Sequence, residues 1–157
     1  MNPTPLMLNS EPIHYEHEWK YLGCLVQSGK RFSFSCKNDL ATFRRSVNSI
    51  IRAVRRPSEQ VLLQLLYSVS IPILTYAADV KQFSYAEMYA CHVAINNAIR
   101  LIFQFNRWES IRSLRTQFGY NDLYTLFALK RRNFFLNLPQ IGNEIVLHLK
   151  NVVTGTK

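Results

Sequence analysis

Apolar positions recur at steps of three and four through most of the chain after residue 36, a period that predicts a series of helices. The longest stretch free of Gly and Pro with a clean period is residues 84–105, read as the central helix. Wound at 3.6 residues per turn, Tyr85, Met88, His92, Ile95, Ile99, Ile102 and Phe103 gather on an arc of roughly 100°, which predicts the buried face. Ser84 with Glu87 three positions later predicts a capping box, and Asn96, Asn97, Arg100 and Gln104 form a polar flank.

The same period places an earlier helix over residues 36–55, capped by Ser35, stopped by Pro57 and packed through Leu40, Phe43, Val47, Ile50, Ile51 and Val54. Ser58 opens the next, with Val61, Leu62, Leu65, Leu66 and Val69 inward until Pro72 kinks or breaks it near Ser70 and Ile71. Residues 73–80 form a shorter piece. Beyond the central helix, Trp108, Ile111, Leu114 and Phe118 mark a fifth segment closed by Gly119. Asn121 or Asp122 starts a sixth, carrying Leu123, Leu126, Phe127, Lys130 and Phe134 and ending before Pro139. Residues 142–150 add a last short helix, and the tail frays.

Before residue 36 the pattern changes. Residues 6–8 and 13–15 read as strands around a turn at 9–12, and residues 20–26 as a third strand ended by Ser28-Gly29-Lys30. Gly23 would let another group approach this strand closely. The expected fold is mainly α: a helical bundle with a small N-terminal β-hairpin and strand element. A chain of 157 residues supports one domain with a real core, or a core with a small appended piece, and no repeat or linker divides it.

Charge sharpens this picture. Nineteen Lys and Arg against ten Asp and Glu give +9, which suggests a polyanionic partner. The distribution is uneven: residues 37–56 hold six basic groups and one acidic, and residues 100–132 seven and two, whereas residues 57–99 hold Lys81 against Glu59, Asp79 and Glu87. Lys37, Arg44, Arg45, Arg52, Arg55 and Arg56 fall within a helical sector of roughly 120° beside the apolar face, with Asp39 elsewhere. A solvated face with cations near a helix C-terminus explains one or two such charges; six without acidic partners favour phosphate binding. Lys130, Arg131 and Arg132 form a second cluster.

Candidate chemistry is sparse. Asp39, Asp79 and Asp122 are single and scattered, so no carboxylate pair for metal-directed catalysis stands out. His14, His17 and Cys24 lack the spacing and the fourth ligand of a zinc module. Three cysteines, Cys24, Cys36 and Cys91, suggest free thiols in an intracellular protein, and the N-terminus does not read as a secretion signal. Cys91 and His92 are adjacent on one helix and point about 100° apart, which disfavours a nucleophile pair. The uncharged run over residues 60–78 imitates a membrane span, but Gln64, Ser68, Ser70, Pro72 and Thr75 point to a buried, Pro-bent helix. No membrane partner is expected.

Three stretches, in order, resemble the C-terminal part of the reverse transcriptase of non-LTR (LINE-type) retrotransposons. They are Trp19-Lys20-Tyr21-Leu22-Gly23, then Tyr67-Ser68-Val69-Ser70-Ile71-Pro72-Ile73-Leu74-Thr75-Tyr76, then Ala94-Ile95-Asn96-Asn97-Ala98-Ile99-Arg100-Leu101-Ile102-Phe103 with Arg107, Trp108 and Ser110 beyond. The resemblance spans about residues 6–136. It implies a palm edge with a primer grip at Tyr21, Leu22 and Gly23 over residues 1–35, and a helical thumb and extension over residues 36–157. It also implies that the catalytic Asp motifs and their Mg lie in an upstream palm and fingers portion, with no cofactor and no catalytic residue in this chain. Asp79 is a single Asp after the primer grip and is not read as catalytic. A nuclear setting would follow. The expected function is to hold an RNA or DNA template-primer duplex without catalysis. The alternative from another class is a stand-alone basic helical interaction module, or a decayed element product without activity.

Overall fold

The structure, a computed structural model, describes residues 6–13, 15–29, 33–53 and 57–138. Strands come first: β1 (Leu6–Leu8), β2 (Glu11–Ile13), β3 (Glu18–Tyr21), β4 (Cys24–Gln27) and β5 (Ser33–Ser35). Helices follow: α1 (Lys37–Ala53), α2 (Glu59–Leu65), a π turn (Leu66–Ser70), α3 (Ile71–Leu74), α4 (Tyr85–Phe103), α5 (Arg112–Phe118) and α6 (Leu123–Asn137). The chain is therefore mainly α with a small N-terminal β region. The expected helix at 142–150 and the frayed tail lie outside the described residues.

β1 and β2 pair antiparallel with Leu6 opposite Ile13, so β2 begins at Glu11, inside what the sequence suggested was turn. Asn9 and Ser10, at φ +50° and +69°, make the two-residue connection. The expected third strand over 20–26 is instead a hairpin in which Tyr21 faces Cys24. Leu22 and Gly23 reverse the chain at φ +45° and +79°, a turn that apolar content alone does not signal. β5 pairs with β4 and completes a three-stranded sheet; three residues, two of them serine, were too few to show a strand period.

The core is built by one side of α1, α2 and α4, joined by the π turn, α3, α5 and α6. Leu40, Phe43 and Val47 of α1 are buried as expected, and Ile50 and Ile51 pack at the margin. Ser58 caps α2 by accepting the Val61 amide. Pro72 breaks nothing: the π turn ahead of it, closed by the Ile71 amide donating to Leu66 O, widens the backbone where a proline would otherwise clash with the preceding turn. Contrary to the expected inward face, Val61 and Val69 are exposed, while Leu63 is buried. The expected helical piece at 73–80 ends at Leu74, and residues 75–80 run as turns, with Ala77 at φ +52°. Among the described residues no helix is long and apolar enough to cross a membrane.

The capping box at Ser84 and Glu87 is present, with both backbone amides satisfied. The buried face of α4, however, is Cys91, Ala94, Ile95, Ala98, Ile99 and Ile102, turned roughly 60° from the expected arc. Small residues at positions 91, 94 and 98 sit against neighbouring helices, whereas Tyr85 is 80% exposed. Trp108, expected in the core, is 87% exposed; Ile111 and Leu114 fill that role. Gly119 closes α5 at φ +67°, and Asp122 caps α6 by accepting the Thr125 amide at 2.8 Å.

Candidate nucleic-acid interface

α1 owes its orientation to its first turn. The Lys37 amide donates to Ser35 Oγ at 3.4 Å, and the Cys36 amide donates to Glu87 Oε1 at 3.2 Å, tying the start of α1 to the capping box of α4. Further along, the Ser46 and Ser70 hydroxyls pair at 2.8 Å and hold α1 against the π turn. With its apolar side so fixed, the opposite side must face solvent. Lys37, Arg44, Arg45 and Arg52 are all exposed there, within a sector of roughly 100°. Arg45 donates back to Ala41 O and Thr42 Oγ1, so its guanidinium stays on the helix surface. Arg55 and Arg56 lie outside the described residues.

The acid of α1 does not neutralise this face. Asp39 Oδ2 accepts from Lys81 Nζ at 2.8 Å, and the Lys81 side chain is 0% exposed. Lys81 also sits over the Tyr76 and Phe83 rings, 5.4 and 5.8 Å from their centroids. Beside the basic face, Arg44 and Asn48 of α1 and Tyr89 and Asn97 of α4 line a groove of about 510 Å³. Tyr85 and Tyr89 stack at 6.4 Å on the outer surface of α4.

Tyr21, Leu22 and Gly23 form the tip of the β3–β4 hairpin, with the Tyr21 and Leu22 side chains exposed. The Tyr76 hydroxyl donates to Leu22 O at 3.1 Å, and a Cβ on Gly23 would lie 3.4 Å from the Tyr76 ring. The close approach expected at Gly23 is thus made by an aromatic side chain from beyond α3. Leu6, Met7, Leu8, Ile13, Tyr15, Trp19 and Leu22 of the β region are likewise exposed.

The second basic cluster divides. Lys130 Nζ donates to Thr75 O and Arg131 Nη2 to Lys81 O, each at 2.9 Å, so both brace the turn segment against α6. Arg132 is exposed. Sequence reasoning had no handle on Asp39 and Lys81, which are 42 positions apart; the one signal was a lone Lys in an otherwise acidic stretch. Within the basic stretch of residues 100–132, Arg100, Arg112 and Arg115 line one cleft with His92, a convergence that a count of charges does not show. There burial, then the nearby Arg115 charge, lowers the His92 pKa, with Asp122 opposing. The Thr125 amide holds the Asp122 carboxyl below the usual range. Among the described residues no group of three or more His, Cys, Asp or Glu is placed to hold a metal ion. Cys36 and Cys91 are buried neighbours: hydrogen bonding between them lowers the Cys36 pKa and raises that of Cys91.

Comparison with protein families, with curated proteins and with solved structures finds no match.

Proposed function

We propose that this chain holds template-primer nucleic acid as the primer-grip and thumb part of an RNA-directed DNA polymerase of the non-LTR retrotransposon type, without catalysing nucleotide addition itself. The observation that carries this reading is the outer face of α1: four exposed cations on one sector, with the helix's carboxylate withdrawn into a buried ion pair. Such a face meets phosphates whatever the base sequence. Tyr85 and Tyr89 next to the Arg44 groove supply ring surfaces on which unpaired bases stack. The apolar side chains displayed by the β region favour a polymerase palm as neighbour over a stand-alone module, because a lone soluble domain rarely shows so many together.

Fluorescence anisotropy with an RNA–DNA hybrid at several salt concentrations tests this. Neutralising three to four phosphates gives a slope of log affinity against log salt of roughly −3 to −4. Replacing Arg44, Arg45 and Arg52 together by Gln flattens that slope and weakens all sequences alike, with helix content by circular dichroism unchanged. Unchanged slope and affinity remove α1 from the interface. In the same preparations, dNTPs with Mg²⁺ or Mn²⁺ should give no primer extension; template-dependent incorporation abolished by Asp79→Ala would overturn the non-catalytic reading.

A further inference from the structure

On a different part of the molecule from the α1 face, α4, α5 and the start of α6 enclose an open cleft of about 590 Å³. Three guanidiniums line it, from Arg100, Arg112 and Arg115, and the carboxylate in the lining is that of Asp122, engaged in capping α6. The wall therefore carries a surplus of two positive charges. Among the described residues none of the three arginines is in an ion pair. Two are pre-set by neutral partners: Arg115 Nη2 donates to Asn96 Oδ1 at 2.6 Å, and Arg100 donates to Glu109 O at 3.1 Å and to Asn97 Oδ1 at 3.3 Å. Held guanidinium forks without a carboxylate are organised for a tetrahedral oxyanion, which accepts from several donors at once.

A second observation points the same way. His92 Nδ1 and Arg115 Nε are buried and have no hydrogen-bond partner among the described residues, and both residues belong to this wall. Buried polar atoms are nearly always satisfied, so two orphans at one cleft signal a missing partner. Tyr120, stacked on Tyr67 at 3.8 Å and 10°, forms an aromatic part of the lining.

We infer that this cleft is a binding site for the phosphoryl group of a phosphomonoester, gripped by Arg100, Arg112 and Arg115 with His92 alongside. The dianion matches the surplus of two charges, and the volume admits a ligand of mononucleotide size. The inference stands apart from the reading of α1, since none of its cations belongs to that helix. The phosphoryl group has two possible sources, a free small phosphomonoester or the phosphorylated end of a strand.

Isothermal titration of the full chain with AMP tests the site. One saturable site is expected, weakened about tenfold in Arg112→Gln, whose exposed side chain leaves the fold intact, and at least as much in Arg115→Gln. Adenosine, lacking the phosphate, should not compete. NMR of the imidazole supplies a readout that general charge loss would not move. The charged groups around His92 are Arg115 and Asp122, with the Tyr124 ring at 5.3 Å, and a bound dianion should raise its pKa. Displacement of AMP by a 5′-phosphorylated but not a 5′-hydroxyl oligonucleotide identifies a strand end as source; displacement by neither identifies a free ligand, and the site stands in both cases. Lack of saturable AMP binding, equal competition by adenosine, or unchanged affinity in both Arg variants overturns it.

Discussion

A lysine with no exposed surface sits against three elements, and its environment shows what a single residue can hold together. Lys81 bonds Asp39 of α1 through Nζ, lies over two aromatic rings, and offers its carbonyl to Arg131 of α6. A buried ion pair is costly to break because the remaining partner keeps its desolvation penalty. Lys81→Met should therefore destabilise the chain by about 3–5 kcal/mol. Adding Asp39→Asn should recover much of that loss, since no charge then remains unpaired. Urea unfolding of the two single variants and the double checks this. Additive losses would show that the contact is packing alone, with no electrostatic coupling.

At the scale of elements, the β3–β4 turn is where conformation and packing meet. Gly23 holds φ +79°, a region in which an L side chain costs about 1 kcal/mol. Gly23→Ala should lose about that much stability, because the Tyr76 contact at 3.4 Å is ordinary and adds little. Asn tolerates this backbone region, so Gly23→Asn should be milder than Gly23→Ala in denaturant unfolding. An Asn variant worse than the Ala variant would mean that space beside Tyr76, rather than φ, decides the position. The same logic of local accommodation explains the π turn before Pro72. The backbone absorbs the proline's missing donor there, and α3 continues from it.

For the whole molecule, two groups with displaced protonation link stability to pH on the acid side of neutrality. The folded chain lowers the His92 pKa below its ordinary value near 6.5, so below that pH the unfolded chain takes up a proton that the folded chain refuses. Its contribution is present above about pH 6.5 and is lost as pH falls toward the depressed value. Asp122 acts in the same sense at lower pH: its lowered pKa stabilises the fold above the ordinary carboxylate range, and this is lost as pH falls through the folded value. Unfolding free energy measured from pH 7.5 to 5 should decline, and His92→Gln should flatten the decline. An equal decline in that variant would assign it to other groups.

Within this chain, what local periodicity and capping chemistry specify was legible from residues alone. The mainly α fold follows from spacing, and the capping box at Ser84, the cap at Ser58, a cap at Asn121 or Asp122 and the stop at Gly119 follow from side-chain oxygens and a left-handed glycine that need only near neighbours. The exposed basic sector of α1 was also readable, because a helix converts spacing into direction. Other features depended on partners distant in sequence. The rotation of the α4 core toward Cys91, Ala94 and Ala98 depends on how closely other helices approach. The burial of Lys81 needs Asp39, the seating of Gly23 needs Tyr76, and the diversion of Lys130 and Arg131 needs two carbonyls of the turn segment. Convergence of Arg100, Arg112 and Arg115 on one cleft needs the packing of α5 beside α4. Sequence spacing reports directions on one element, whereas contacts between elements are set by the shape of the packed core, and that shape existed only once the helices had docked.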